Sequence, residues 1–251
     1  MTTSTGSSNG AASKTAGDPV LLSLKDVSFH WPGRNGFSLG VKSFTLAVGE
    51  KLFLKGASGS GKSTLLSLIC GIVSPSSGSI CIAGVDIARL RASQVDRFRV
   101  DNFGIIFQQF NLLPYGSMLE NVLLPLQFSR ERRMRATAAG TANAEATRLL
   151  LRLGLPQDLH TQAVTRLSIG QQQRVAVARA MIGNPRLVIA DEPTSALDSE
   201  NRDEFMKLLF EEVSRAQAGL IMVSHDDNLA AGFDRKLEIS EITITDRPAT
   251  V

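Results

Sequence analysis

The chain has 251 residues, 43% of them hydrophobic, and a formal net charge of +3. Apolar material in that proportion suffices for a sizeable core in one large domain or two small ones, which excludes a wholly disordered chain. Its apolar runs all fall well short of the roughly eighteen residues of a membrane span, and Cys70 and Cys81 lack the paired spacing of a zinc or redox motif, so both read as reduced core residues.

In chain order, residues 1–19 are mostly Ser, Thr, Gly and Ala and cannot offset the entropy of ordering, so they are expected to form a disordered tail without the apolar core of a secretory signal. Val20–His30 passes from an apolar run into alternation and Phe37–Val48 is again extended before a turn at Gly49-Glu50, which predicts an antiparallel flap. Lys51–Lys55 (KLFLK) is a short strand, followed by a glycine-rich loop and a helix over Leu65–Cys70. Roughly 103–182 is rich in Leu, Ala, Gln and Arg, with helical apolar spacing over Ala136–Leu153, and is expected to be an inserted helical subdomain. Within it Arg130, Arg132, Arg133 and Arg135 are expected on a solvated helix face. Leu187–Ala190 and Gly219–Ser224 are continuous apolar runs of the kind found in a parallel sheet buried on both faces. Residues 20–246 therefore read as one α/β domain, with 20–102 and 183–246 as core and flap and 103–182 inserted; no internal repeat is visible.

The run Gly56, Ala57, Ser58, Gly59, Ser60, Gly61, Lys62, Ser63, Thr64 satisfies G-x-x-x-x-G-K-[ST] between a predicted strand and a predicted helix. In that context backbone N–H groups and the helix N-terminus converge on phosphate oxygens, Lys62 reaches the β- and γ-phosphates, and the Ser63 hydroxyl is placed to ligate Mg²⁺. The strand Leu187–Ala190 ends in Asp191-Glu192, a pair that can hold Mg²⁺ through Asp191 and leave Glu192 to polarise a water. His225 follows GLIMVS directly, at the carboxyl edge of the predicted sheet where sites form, whereas His30 and His160 have no such placement.

A phosphate loop serves many chemistries, so the discriminating segment is Leu167-Ser168-Ile169-Gly170-Gln171-Gln172-Gln173-Arg174, ahead of the acidic strand. With Gln108, Asp198 after Ser195-Ala196-Leu197, and Ser224-His225-Asp226, it resembles the motif set of ABC transporter ATPases, in that family's order, over about residues 20–240. The resemblance implies a P-loop NTPase fold of the RecA-like kind, with a mostly parallel sheet core, an antiparallel β flap and an inserted α-helical subdomain. It also implies ATP and Mg²⁺ as cofactors, ATP hydrolysis as the activity, and head-to-tail closure of two copies on two ATP molecules. Each phosphate loop would then face the other copy's Ser168, Gly170 and Gln171. Glu192, His225, Gln108 and Lys62 take the catalytic roles; Ser63, Gln108 and Asp191 hold the metal; Trp31 stacks on adenine, with Phe29 as the alternative; and Asp198 reports to the opposite site. Ile169 stands where the family usually has glycine, and a β-branched residue disfavours positive φ.

Phe107–Pro114 and Leu119–Leu126 are similar to the ATPases of the lipoprotein-releasing (LolD-like) and macrolide-efflux (MacB-like) group. This implies a membrane permease as partner, a cytoplasmic place at the inner face of the cell membrane, and a docking groove that Phe110, Leu112, Leu113 and Leu123 either line or merely support from the core. The competing class is a soluble ATPase of the same family acting on ribosomes or DNA, but the second cassette or coiled-coil insertion of such proteins is not found; no nucleic-acid partner is expected.

Overall fold

The computed structural model describes residues 19–32, 37–57, 59–195 and 197–246; of the tail expected over 1–19, residues 1–18 lie outside them, as does Ser58. The chain opens with β1 (Val20–His30) and β2 (Ser38–Ala47), then β3 (Lys51–Lys55), α1 (Lys62–Ile69), β4 (Ser77–Ile82), β5 (Val85–Asp86), α2 (Ala92–Asn102) and β6 (Phe103–Ile106). Helices α3 (Met118–Phe128), α4 (Arg130–Ala136), α5 (Ala142–Arg152) and α6 (Ile169–Met181) follow. Then come β7 (Leu187–Asp191), α7 (Ser199–Ala216), β8 (Gly219–Val223), β9 (Arg235–Glu238), α8 (Ile239–Ile242) and β10 (Ile244–Asp246).

One sheet, ordered β10-β2-β1-β4-β5, is antiparallel and forms the flap; the other, β6-β7-β8-β3-β9, is parallel throughout. The parallel strands are apolar without interruption because both their faces are covered. Leu52, Leu54, Ile189 and Ile221 point into a core shared with the flap (Leu22, Leu24, Ile80) and with α1 (Leu65, Leu68). Their alternates Phe53, Val188, Leu220 and Met222 point into a second core against α3, α5, α6 and α7. Two-residue periodicity is thus intact; it is hidden in the sequence because neither face is polar.

Two expectations are corrected here. Phe103–Ile106 is not part of the helical insert: it pairs in parallel with Leu187–Ala190 as the edge strand of the core sheet, so the insert begins after Ile106. The helix expected over Ala136–Leu153 is broken, because α4 stops at Ala136 and Thr141 caps a new helix by accepting a bond from the Ala144 N–H at 3.1 Å.

The arginine cluster also differs. Arg130 is exposed, but Arg132 is only 2% exposed and donates to three backbone carbonyls: Phe103 at 2.9 Å, Ala180 at 2.6 Å and Ile182, reached from Nε at 2.8 Å. Arg135 donates to Gly183 O at 2.7 Å and Asp101 O at 2.5 Å. These two side chains rivet α4 to β6 and to the end of α6. Gly183 makes room for the rivet: a Cβ there would lie 2.5 Å from Arg132 O, and its φ of +70° disfavours other residues. Cys70 is buried, and burial pushes its thiol up to about 12, which keeps it an unreactive core residue. Cys81 is partly buried.

Candidate functional site at the carboxyl edge of the parallel sheet

Strands β3, β8 and β7 are neighbours, and their register aligns Leu54 with Val223 and Val223 with Asp191. The residues that follow each strand therefore emerge side by side at one edge, as expected for sites in open parallel sheets. From β3 comes the phosphate loop, from β7 Asp191-Glu192, and from β8 Ser224-His225.

The loop turns into α1 through Gly61, whose φ of 97° is left-handed and open to glycine at little steric cost. Helix α1 starts at Lys62, so the N–H groups of its first turn and its positive dipole end face the loop. Lys62 Nζ donates to Gly56 O at 2.6 Å and Ala57 O at 2.8 Å, folding the side chain back over the loop, where incoming phosphate oxygens would compete for it. Ser60 Oγ donates to Ala57 O at 2.7 Å, while Ser63 is exposed. Thr64 is buried, and its hydroxyl accepts from Trp31 Nε1 at 3.2 Å. This bond fixes Trp31, still 43% exposed, beside the loop. Phe29 is buried and meets Trp31 edge-on at 5.1 Å between ring centres, so of these two rings it is Trp31 that is open to a base.

Glu192 is held with φ at 46°, a left-handed conformation that a side-chain-bearing residue adopts at a cost of order 1 kcal/mol. Its N–H bonds Val223 O at 2.9 Å, while its carboxylate takes Ser224 Oγ at 3.2 Å and His225 Nδ1 at 2.9 Å. The hydrogen bond to Glu192, then its charge, raises His225 above the ordinary histidine range. Asp191 is half-buried, and its carboxyl is raised first by burial and then by Glu192, with Lys62 opposing.

Among the described residues no group of three His, Cys, Asp or Glu forms a self-contained metal cage. Mg²⁺ does not need one, since it takes one or two carboxylates and completes its shell with phosphate oxygens and water. Asp191, whose ionised form a nearby cation would favour, and the Ser63 hydroxyl fit such an ion.

Gln108 sits on an exposed turn after β6, and the residues two and three further on, Phe110 and Asn111, have φ of 54° and 49°. Ser168 caps α6: its Oγ accepts from Gln171 N at 3.3 Å, and its own N–H donates to Gln171 Oε1 at 2.9 Å. Gly170 lies just inside that helix start. Among the described residues this segment lies beside those after β7: Gln173 Nε2 bonds Pro193 O, and Leu197 is the side chain nearest Gly170. Asp198 caps α7, accepting from Asn201 N at 2.9 Å.

Ile169 is the first residue of α6, is 53% exposed, and is absent from the positions with positive φ. No strain attaches to a β-branched side chain there. Ile169→Gly is accordingly expected to change kcat by no more than about twofold, as for an ordinary surface substitution; a tenfold change in a steady-state assay would show that this side chain itself shapes the site.

Three contributors went unassigned in the sequence. Ser224, which bonds Glu192, was signalled by its place at the end of a buried strand. Arg202 Nη1, bonded to Asp226 Oδ2 at 2.6 Å, ties the first turn of α7 to the His225 segment, and Arg179 reaches the Gln108 loop; neither has a local pattern that marks it.

Residues 39–195 match the family described as ABC transporter, well over half of the chain. The chain belongs to that family. The lipoprotein-releasing system ATP-binding protein LolD of Anaeromyxobacter dehalogenans is 45% identical over 196 residues, 78% of this chain and 79% of that protein. The ABC transporter ATP-binding protein YtrE of Bacillus subtilis is 37% identical over 199 residues, covering 79% and 83%. The macrolide export ATP-binding/permease protein MacB of Shigella flexneri is 37% identical over 234 residues, 92% of this chain but 35% of MacB, so the chain spans about a third of its MacB relatives. A dimeric ATP-binding cassette solved in a post-hydrolysis state with ADP and Pi superposes with a TM-score of 0.73 at 34% identity, over 87% of this chain and 94% of that one. As a member of this family the chain carries an ATP-binding, ATP-hydrolysing cassette, as its phosphate loop and signature segment predicted.

Proposed function

We propose that this ABC subunit works as one half of a symmetric motor that drives a membrane permease of the lipoprotein-releasing or macrolide-efflux kind. The observation that carries the reading is the division of its site. The phosphate loop, Asp191-Glu192 and His225 share one sheet edge, whereas the capped start of α6 at Ser168 bonds elsewhere. A helix N-terminus with its dipole and a serine hydroxyl is an anion site, and a second copy, turned head to tail, would bring it over the γ-phosphate.

In the closed pair Trp31 carries the base, and the loop from Gly56 to Thr64 cradles the phosphates. Ser63, Asp191 and Gln108 would hold Mg²⁺, which would supply positive charge to offset that of the phosphates. Glu192 orients and deprotonates the attacking water, while His225 and Ser224 fix its carboxylate. Asp198, at the start of α7, faces the opposite site.

The permease would dock in a cleft of about 310 Å³ between β6, α3 and α6, lined by Ile105, Phe107, Leu124 and Phe128. Exposed Phe107 and Phe128 mark it as an apolar surface, whereas Leu112 and Leu123 pack against the core and Phe110 is buried. No helix among the described residues is long and apolar enough to cross a membrane. Affinity capture from membranes tests this reading. Recovery of a four-span permease with a large extracytoplasmic domain is expected, and recovery of a many-span importer permease would overturn the assignment to this group.

A further inference from the structure

The loop bearing Gln108 is held from two sides. On one side Asn121 of α3, fully buried, accepts from Leu113 N at 2.7 Å and donates to Leu113 O at 3.2 Å. On the other, Arg179 of α6 donates from Nη1 to Asn111 O at 2.6 Å and from Nη2 to Phe110 O. Phe110 and Asn111 are the two consecutive residues with left-handed φ, so the guanidinium fork grips the part of the loop that is hardest to hold in place. Arg179 is only 9% exposed, and among the described residues no carboxylate pairs with it. Burying an uncompensated cation is costly, and burial lowers its proton affinity; the two carbonyls are what compensate it.

From this geometry we infer that Arg179 is a positioning residue for hydrolysis, locking the backbone two and three residues beyond Gln108 to the same helix whose first turn carries Ser168, Gly170 and Gln171. A shift of α6 is thereby passed to Gln108 through two hydrogen bonds, so engagement of the signature segment and placement of Gln108 change together. The inference rests on the role given above to Gln108.

A double-mutant cycle on the full chain tests it, with ATP turnover and ATP affinity measured for Arg179→Met, Gln108→Ala and the pair. Methionine keeps the apolar stem and removes the donors. Loss of positioning predicts a kcat lower by about tenfold to a hundredfold with KM for ATP within about twofold, and a double variant no slower than Gln108→Ala alone. Arg179→Lys, which can supply a charge but not the fork, is expected to fall between wild type and Met, and it carries the cycle if Met does not fold. If each single change impairs turnover and their losses multiply, Arg179 acts independently of Gln108 and the inference is overturned alone. If Gln108→Ala hydrolyses ATP as wild type does, the role of Gln108 and this inference fall together.

Discussion

Glu192→Gln is expected to lower kcat for ATP hydrolysis by about 10²- to 10⁴-fold while ATP binding persists, so that the variant accumulates as an ATP-bound dimer. Gln keeps the shape of Glu and an oxygen that can accept from Ser224 or His225, but it cannot take a proton from water. The backbone position is unaffected, because the Glu192 N–H bond to Val223 O at 2.9 Å belongs to the main chain. Steady-state turnover together with size-exclusion light scattering in ATP and Mg²⁺ is the measurement. Turnover within a few-fold of wild type would remove Glu192 from the role of base.

The same variant reports on His225. Its folded value is raised, so its bond with Glu192 contributes stability that is fully present below the ordinary value near 6.5 and is lost as pH rises through the raised one. Without the carboxylate, the imidazole should titrate back toward the ordinary range. His30 and His160 complete the chain's three histidines, so the ring resonances can be assigned and followed by NMR.

Much of this site was legible because its spacing rules are local. G-x-x-x-x-G-K-S needs only a strand before it and a helix after it, and the signature segment is one unbroken run, Leu167 to Arg174. The runs at Leu187 and Gly219 were readable as buried strands because both faces are covered. Phe103–Ile106 was not, since four residues pressed between α2 and an irregular loop carry too little pattern, and what makes them a strand is the partner at Leu187–Ala190. The arginines fail in the same way. Helical spacing places Arg132 and Arg135 on α4 but cannot reveal that the surface across from them is a row of backbone carbonyls and not water. Ile169 is a different case: the positive φ that a β-branched residue disfavours does not occur there, because the helix begins at that residue.

Arg132→Ala is expected to destabilise the fold by about 3–5 kcal/mol, against no more than about 0.5 kcal/mol for exposed Arg130→Ala on the same helix. Truncation strips the Phe103, Ala180 and Ile182 carbonyls of their shared donor in a place from which solvent is excluded, and each acceptor left unpaired costs about 1–3 kcal/mol before any water enters. These carbonyls belong to the first residue of β6, the last turn of α6 and its C-cap, so the loss loosens the join between insert and core and is not confined to α4. Burial lowers the guanidinium's proton affinity, with Arg135 adding to the effect, so the site tolerates the charge only through those bonds. Arg132→Lys, with one compact donor in place of a planar fork, should lose less than Ala but remain well below wild type. Urea unfolding of the Ala, Lys and Arg130 variants side by side decides it: equal midpoints for Arg132→Ala and Arg130→Ala would mean that the rivet holds nothing that solvent cannot replace.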